Sequence, residues 1–160
     1  IPRIKKIIES LCRAYGDRIL SPDGREFYTF PTAKRLFEAG EEEIFSFKTG
    51  FRAKYIYDAV ERIRGGELML EDIFAERDTE LAIEKLCTVK GIGRKVASCA
   101  LLFGFKKYDA FPIDVWMKRV AERRFPELEE LTPSTFGKYA GIAQQYLFYY
   151  ERWNNNAINE

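Results

Sequence analysis

Apolar residues recur along this chain at spacings of three and four, the signature of amphipathic helices. Ile1, Ile4, Ile7, Ile8, Leu11, Cys12 and Tyr15 fall on one such face, and Gly16 is a natural stop. Ser21-Pro22-Asp23-Gly24 predicts a turn, Glu26 to Phe30 a short extended piece, and Pro31-Thr32 the opening of a short helix through about Glu38. Phe51 to Arg64 reads as helical, with Tyr55, Ile56, Ala59, Val60 and Ile63 inward and Gly65-Gly66 as its end. Asp78 or Thr79 caps a helix running to about Cys87, and another spans Arg94 to Phe103. Asp114 caps Val115 to Arg124, which stops before Pro126. Thr132-Pro133 combines a cap with a first-turn proline, and the last helix runs to about Trp153, with Gly137 and Gly141 as weak points. With no internal repeat, no low-complexity linker and no convincing sheet, residues 1–160 read as one all-α domain of about eight short helices.

Composition narrows the function more by what is missing than by what is present. At 160 residues and 46% hydrophobic, the chain is globular and long enough for a real core. Its 26 basic and 25 acidic residues leave a net charge of +1, which neither favours nor excludes nucleic acid, since a basic face can be local. No apolar run approaches the ~20 residues that span a bilayer. No signal peptide is visible, and the first residue is Ile1 without a methionine, so the chain reads as a fragment or a processed product. The complete absence of histidine excludes Ser-His-Asp and Cys-His catalysis and any His-ligated zinc. Cys12, Cys87 and Cys99 are too few for a four-thiolate iron–sulfur cluster, and their odd number fits a reducing intracellular setting.

The chemistry concentrates between Cys87 and Val120. Gly91-Ile92-Gly93 forms a tight turn between two helices, followed at once by Arg94 and Lys95. Such a turn exposes consecutive backbone N–H groups at a helix N-terminus, a geometry that binds phosphate without side-chain charge. The same turn also serves as a plain helix–helix connection. Lys95 is either a solvated surface residue or an amine nucleophile of the Schiff-base type. Asp114 follows Phe111-Pro112-Ile113 and suits an N-cap, a role compatible with a fixed carboxylate facing a developing cation.

Together these signals resemble the helix–hairpin–helix superfamily of base-excision DNA glycosylases, and the lysine after the turn narrows it to bifunctional glycosylase/lyases. CTVKGIGRKVASC, FPIDVWM, AQQYLF, GFRAKYI and IPRIKKIIESLCRAYG are similar to the 8-oxoguanine DNA glycosylase subfamily, co-linearly over nearly the whole chain. The resemblance implies a helical bundle that excises 8-oxoguanine from duplex DNA and then cleaves the strand as an AP lyase. Lys95 would be the Schiff-base nucleophile and Asp114 the carboxylate supporting the sugar cation. Cys99 and Phe148 would sandwich the flipped purine, with Gln144 reading its Watson–Crick edge. Gly91 and Gly93 would hold phosphate, Phe51 would be the wedge in the duplex, and Arg52 and Arg3 would meet the orphaned cytosine. Trp116 stands where many relatives carry a histidine near the lesion phosphate. No cofactor is required, though the carbonyls of Cys87, Val89 and Ile92 match a site for a monovalent cation, sodium or potassium. The partner would be double-stranded DNA with 8-oxoguanine opposite cytosine, met by a monomer in the nucleoid or nucleus with no membrane involved. The resemblance also implies that the chain starts inside the helical catalytic portion, without the family's N-terminal β-rich domain. Two alternatives remain beside this reading. One is a related glycosylase with another target base, although endonuclease III-like relatives carry a four-cysteine cluster and alkylation-repair relatives lack the lysine. The other is a non-catalytic helix–hairpin–helix DNA-binding module.

Overall fold

The computed structural model describes residues 2–157, with side chains through residue 153. Eight α-helices account for most of them, as the 3.6-residue pattern predicts. These are α1 (Pro2–Tyr15), α2 (Ala33–Ile44), α3 (Ala53–Gly65), α4 (Leu70–Ala75), α5 (Thr79–Cys87), α6 (Arg94–Gly104), α7 (Val115–Arg124) and α8 (Ala140–Ala157). Ile1, the first residue of the α1 pattern, lies outside the described residues, as do the last three. None of the described helices is long and apolar enough to cross a membrane.

The last helix starts later than its Thr132-Pro133 signal suggests: Thr132 makes no side-chain cap, two 3₁₀ turns cover Pro133–Thr135 and Gly137–Tyr139, and α8 begins at Ala140. Three other elements differ from the sequence-based expectation. A small sheet exists after all: β1 (Arg18–Leu20) pairs antiparallel with β2 (Glu26–Tyr28), Arg18 opposite Tyr28. Its strands are three residues long and largely exposed, so they leave no alternating apolar pattern to read. Helix α2 runs past Glu38 to Ile44 because the chain kinks at Gly40 (φ 84°, ψ 165°) instead of stopping there. A wide turn over Phe45–Thr49 and a 3₁₀ turn over Gly50–Arg52 then lead into α3. The third difference is α4, a six-residue helix that was not anticipated.

The chain divides into two compact units. One comprises the residues up to Leu70 together with Val89–Gly91, and the other comprises Glu71–Thr88 and everything from Ile92 onward. The first unit is built on Leu11, Leu36, Ile44, Ala53 and Val60, one or two apolar positions from each of α1, α2 and α3. In the second, α5 and α6 pack on each other. They bury Ala82, Ile83 and Leu86 from α5, and Ala97, Leu101 and Leu102 from α6. Phe111, Met117, Val120, Leu131 and Ala140 form a further core around α7 and the start of α8.

Candidate active site and nucleic-acid contacts

Helix α6 starts where the sequence places it. Gly93 is its N-cap (φ −93°, ψ 174°) and has no side chain to satisfy the first amides, so those N–H groups stay available. Lys95 lies in the first turn and is exposed. It lines a cleft of about 550 Å³ with Arg94, Ser98, Asp109, Phe111 and Ile113. Arg94 donates to Glu80 across this cleft, and that hydrogen bond, reinforced by the charge of Glu80, raises the guanidinium pKa further.

Asp114 caps α7 through one oxygen alone. Its Oδ1 accepts from the amides of Trp116 and Met117, each at 3.0 Å, while Oδ2 makes no hydrogen bond among the described residues. The segment before it is anchored from two sides. Lys107 Nζ donates to the carbonyls of Phe74 and Glu76, and the Gly141 amide donates to the Tyr108 carbonyl at 2.8 Å. Gly141 is required for that approach, because a Cβ there would sit 2.3 Å from the Ala110 carbonyl oxygen. Asp109 is held by the Thr79 hydroxyl, which donates to its Oδ2 at 2.7 Å.

The three residues expected to hold the base are distributed on two helices of the same unit. Cys99 is half-buried on α6, one turn beyond Lys95. Gln144 is buried on α8, where its Oε1 accepts from the Gln145 side-chain amide. Phe148, one turn beyond Gln144, is half-buried and packs against the Phe111–Met117 core. None of these three lines the cleft beside Lys95, nor does Asp114. Trp116 is half-buried, with the Arg119 guanidinium over its ring at 4.9 Å.

In the first unit Phe51 is 64% exposed at the entrance to α3, with the Arg52 guanidinium over its ring at 4.5 Å. Arg3, expected to contact cytosine, donates through Nη2 to the Lys48 carbonyl at 3.1 Å. Lys48 is left-handed (φ 63°), so this bond buttresses the turn that delivers Phe51 and Arg52. Gly91 is also left-handed (φ 81°) and stands against the Tyr55 ring. Among the described residues none of the carbonyls of Cys87, Val89 and Ile92 accepts a hydrogen bond. Cys87 ends α5, where the helix dipole favours a cation.

Sequence reasoning gave no role to Asp109, to Arg119 or to Asp58, whose carboxylate accepts from the Lys90 amide, and took Tyr55 only as an inward helix position. The three-residue spacing of Trp116 and Arg119 was a usable signal. Nothing local marked Asp109, whose partner is 30 residues away.

No family model matches the chain. It is 35% identical over 168 aligned positions to the N-glycosylase/DNA lyase OGG1 of Arabidopsis thaliana, covering 92% of this chain and 45% of that protein. It is 31% identical over 135 positions to the N-glycosylase/DNA lyase of Saccharomyces cerevisiae, covering 78% and 36%. Its fold matches the crystal structure of Clostridium acetobutylicum 8-oxoguanine glycosylase/lyase bound to double-stranded DNA containing cytosine opposite 8-oxoguanine. That match has a TM-score of 0.86 and 38% identity, over 96% of this chain and 55% of the other. The chain thus spans about half the length, or less, of the proteins it matches.

Proposed function

We propose that this chain, which belongs to the 8-oxoguanine DNA glycosylase/lyase family, carries the base-excision chemistry of DNA repair, acting on 8-oxoguanine opposite cytosine. The observation that carries the reading is the presence, within one compact unit, of an exposed lysine at an uncapped helix start and of a capping aspartate whose second oxygen makes no hydrogen bond among the described residues.

The damaged nucleotide is flipped out of the duplex, its base entering between Cys99 and Phe148 with its edge against Gln144. The amine of Lys95, in its neutral form, attacks C1′ as the bond from C1′ to the base breaks and the base leaves with the bonding electrons. Positive charge building on the sugar is met by the Asp114 carboxylate, already oriented by its two amide bonds and needing no reorganisation. Ring opening gives an imine to Lys95. Loss of a C2′ proton then expels the 3′ phosphate, which is the lyase step. The amides at Gly91 and Gly93 bind backbone phosphate, Phe51 fills the opened stack, and Arg52 faces the unpaired cytosine. Trp116 replaces a charged phosphate contact with an aromatic one, backed by Arg119.

Borohydride reduction of the imine tests this reading. On an 8-oxoguanine·cytosine duplex the chain should form a covalent adduct that maps to Lys95. Equal trapping by Lys95→Gln would refute the assignment, and binding without any adduct would favour the non-catalytic module.

A further inference from the structure

Tyr55, on helix α3, touches two of the proposed DNA contacts, the Phe51 ring and the turn at Gly91. Phe51 stands just before the helix, and its ring meets the Tyr55 ring edge-on, with centroids 6.1 Å apart and planes at 80°. Tyr55 in turn fills the space beside Gly91. A Cβ on Gly91 would lie 2.5 Å from both Cγ and Cδ2 of Tyr55 and 2.9 Å from its Cβ. One turn along α3, Asp58 Oδ2 accepts the Lys90 amide at 3.3 Å and Arg62 Nε at 2.9 Å. The Lys90 ammonium lies 3.8 Å from Asp58 Oδ1. Residues 90 and 91 therefore rest on a ring and a carboxylate of the same helix that starts at the wedge.

A ring that enters the base stack must be pushed against something, because unstacking a step costs a few kcal/mol. Among the described residues the ring contacts of Phe51 are to Tyr55 and to the exposed Arg52 guanidinium. Tyr55 has the Gly91 backbone behind it, so load on the wedge passes to the turn that grips phosphate. The Tyr55 hydroxyl makes no hydrogen bond among the described residues, so the ring alone does this work.

We propose that Tyr55 is a positioning residue that couples the duplex-opening ring of Phe51 to the phosphate-binding turn at Gly91, with Asp58 fixing the same turn through Lys90. The proposal rests on the DNA roles assigned to Phe51 and the turn above, and its test separates the two.

Affinity is measured by anisotropy on a duplex holding a tetrahydrofuran abasic analogue, with 2-aminopurine opposite the gap reporting wedge insertion. Tyr55→Phe should match the unmodified chain in both readouts. Tyr55→Leu should bind about tenfold more weakly and show the 2-aminopurine signal of Phe51→Ala, and the double variant should be no weaker than the worse single one, as coupled neighbours are non-additive. Effects that multiply, or a Tyr55→Leu variant that binds normally, would overturn the coupling. The free protein supplies a readout independent of DNA and of the folding of Tyr55 variants. Removing the exposed Phe51 ring should shift the Gly91 amide resonance through Tyr55, and an unmoved Gly91 amide in Phe51→Ala would overturn the coupling as well. If that amide moves while Phe51→Ala binds DNA normally, the coupling stands and the wedge assignment fails.

Discussion

Gly91 and Gly93 look equivalent as turn glycines, yet alanine should affect them very differently. At Gly91 the backbone is left-handed, φ 81°, which costs a residue with a Cβ about 1–2 kcal/mol. The new methyl would also lie 2.5 Å from Tyr55, which is half-buried, so the ring or the turn must move. Overpacking of that kind costs about 1–3 kcal/mol, giving roughly 2–5 kcal/mol in total. At Gly93 φ is −93° and no atom stands within 4 Å of the added Cβ. Its remaining penalty is that of alanine as an N-cap, below about 1 kcal/mol. A protein of this size loses about 2–4 °C of melting temperature per kcal/mol, so Gly91→Ala should melt about 4–20 °C lower and Gly93→Ala within about 4 °C of the parent. Thermal unfolding followed by circular dichroism reads both. In a Tyr55→Ala background the Gly91→Ala cost should fall to the backbone penalty of about 1–2 kcal/mol. Equal melting of the two glycine variants, or an undiminished cost without the Tyr55 ring, would refute the reasoning.

Three further outcomes follow from the same geometry. Asp114→Asn keeps an N-cap acceptor and should change stability little, yet slow base excision by about 10²–10³-fold, while Asp114→Ala should also lose about 0.5–2 kcal/mol of stability; single-turnover rates beside melting curves separate the two. Duplex affinity should fall with salt despite a net charge of only +1. At about −0.9 per phosphate a grip on four phosphates gives a slope near −3.6 in log K against log salt, and a flat titration would contradict a phosphate-reading surface. Glu76 is held below its usual carboxylate value of 4.5, first by its hydrogen bond from Lys85 at 2.7 Å and then by the Asp78 amide. A depressed folded value means that this stabilisation is complete above about pH 4.5 and drains as pH falls through the folded value, so Lys85→Met should flatten the acid limb of the melting temperature.

Helix starts with a side-chain cap were legible, because the signal is local. Asp78 accepts from Glu80 and Leu81, and Asp114 from Trp116 and Met117, all within three residues. Helix α4 escaped notice because six residues hold too few turns to set a period, and α2 was cut short because a glycine that kinks a helix looks the same in sequence as one that ends it. Lys95 stood out through its neighbours Gly91 and Gly93, whereas Asp58 and Lys90 are 32 residues apart and Arg3 and Lys48 are 45 apart. No motif reports contacts at that range, and so the support beneath the turn and beneath the wedge was invisible while the turn and the wedge were not.

Asp114 illustrates why sequence spacing alone sets two roles against each other that the fold reconciles. An aspartate before a helix has an ordinary job, closing the first amides, and that job takes an acceptor oxygen. Both amides converge on Oδ1, however, which orients the carboxylate while Oδ2 makes no hydrogen bond among the described residues. Capping is therefore what preorganises the group: the helix start bears the cost of orienting it, in the folded protein, before any substrate arrives. The anchors on the preceding segment, at Lys107 and Gly141, extend the same logic outward, since they determine where α7 begins and hence where Oδ2 points. Loosening either anchor should reduce excision without touching Lys95, and the Asp114→Asn variant, with its cap intact and its charge gone, distinguishes misplacement of the carboxylate from loss of its charge.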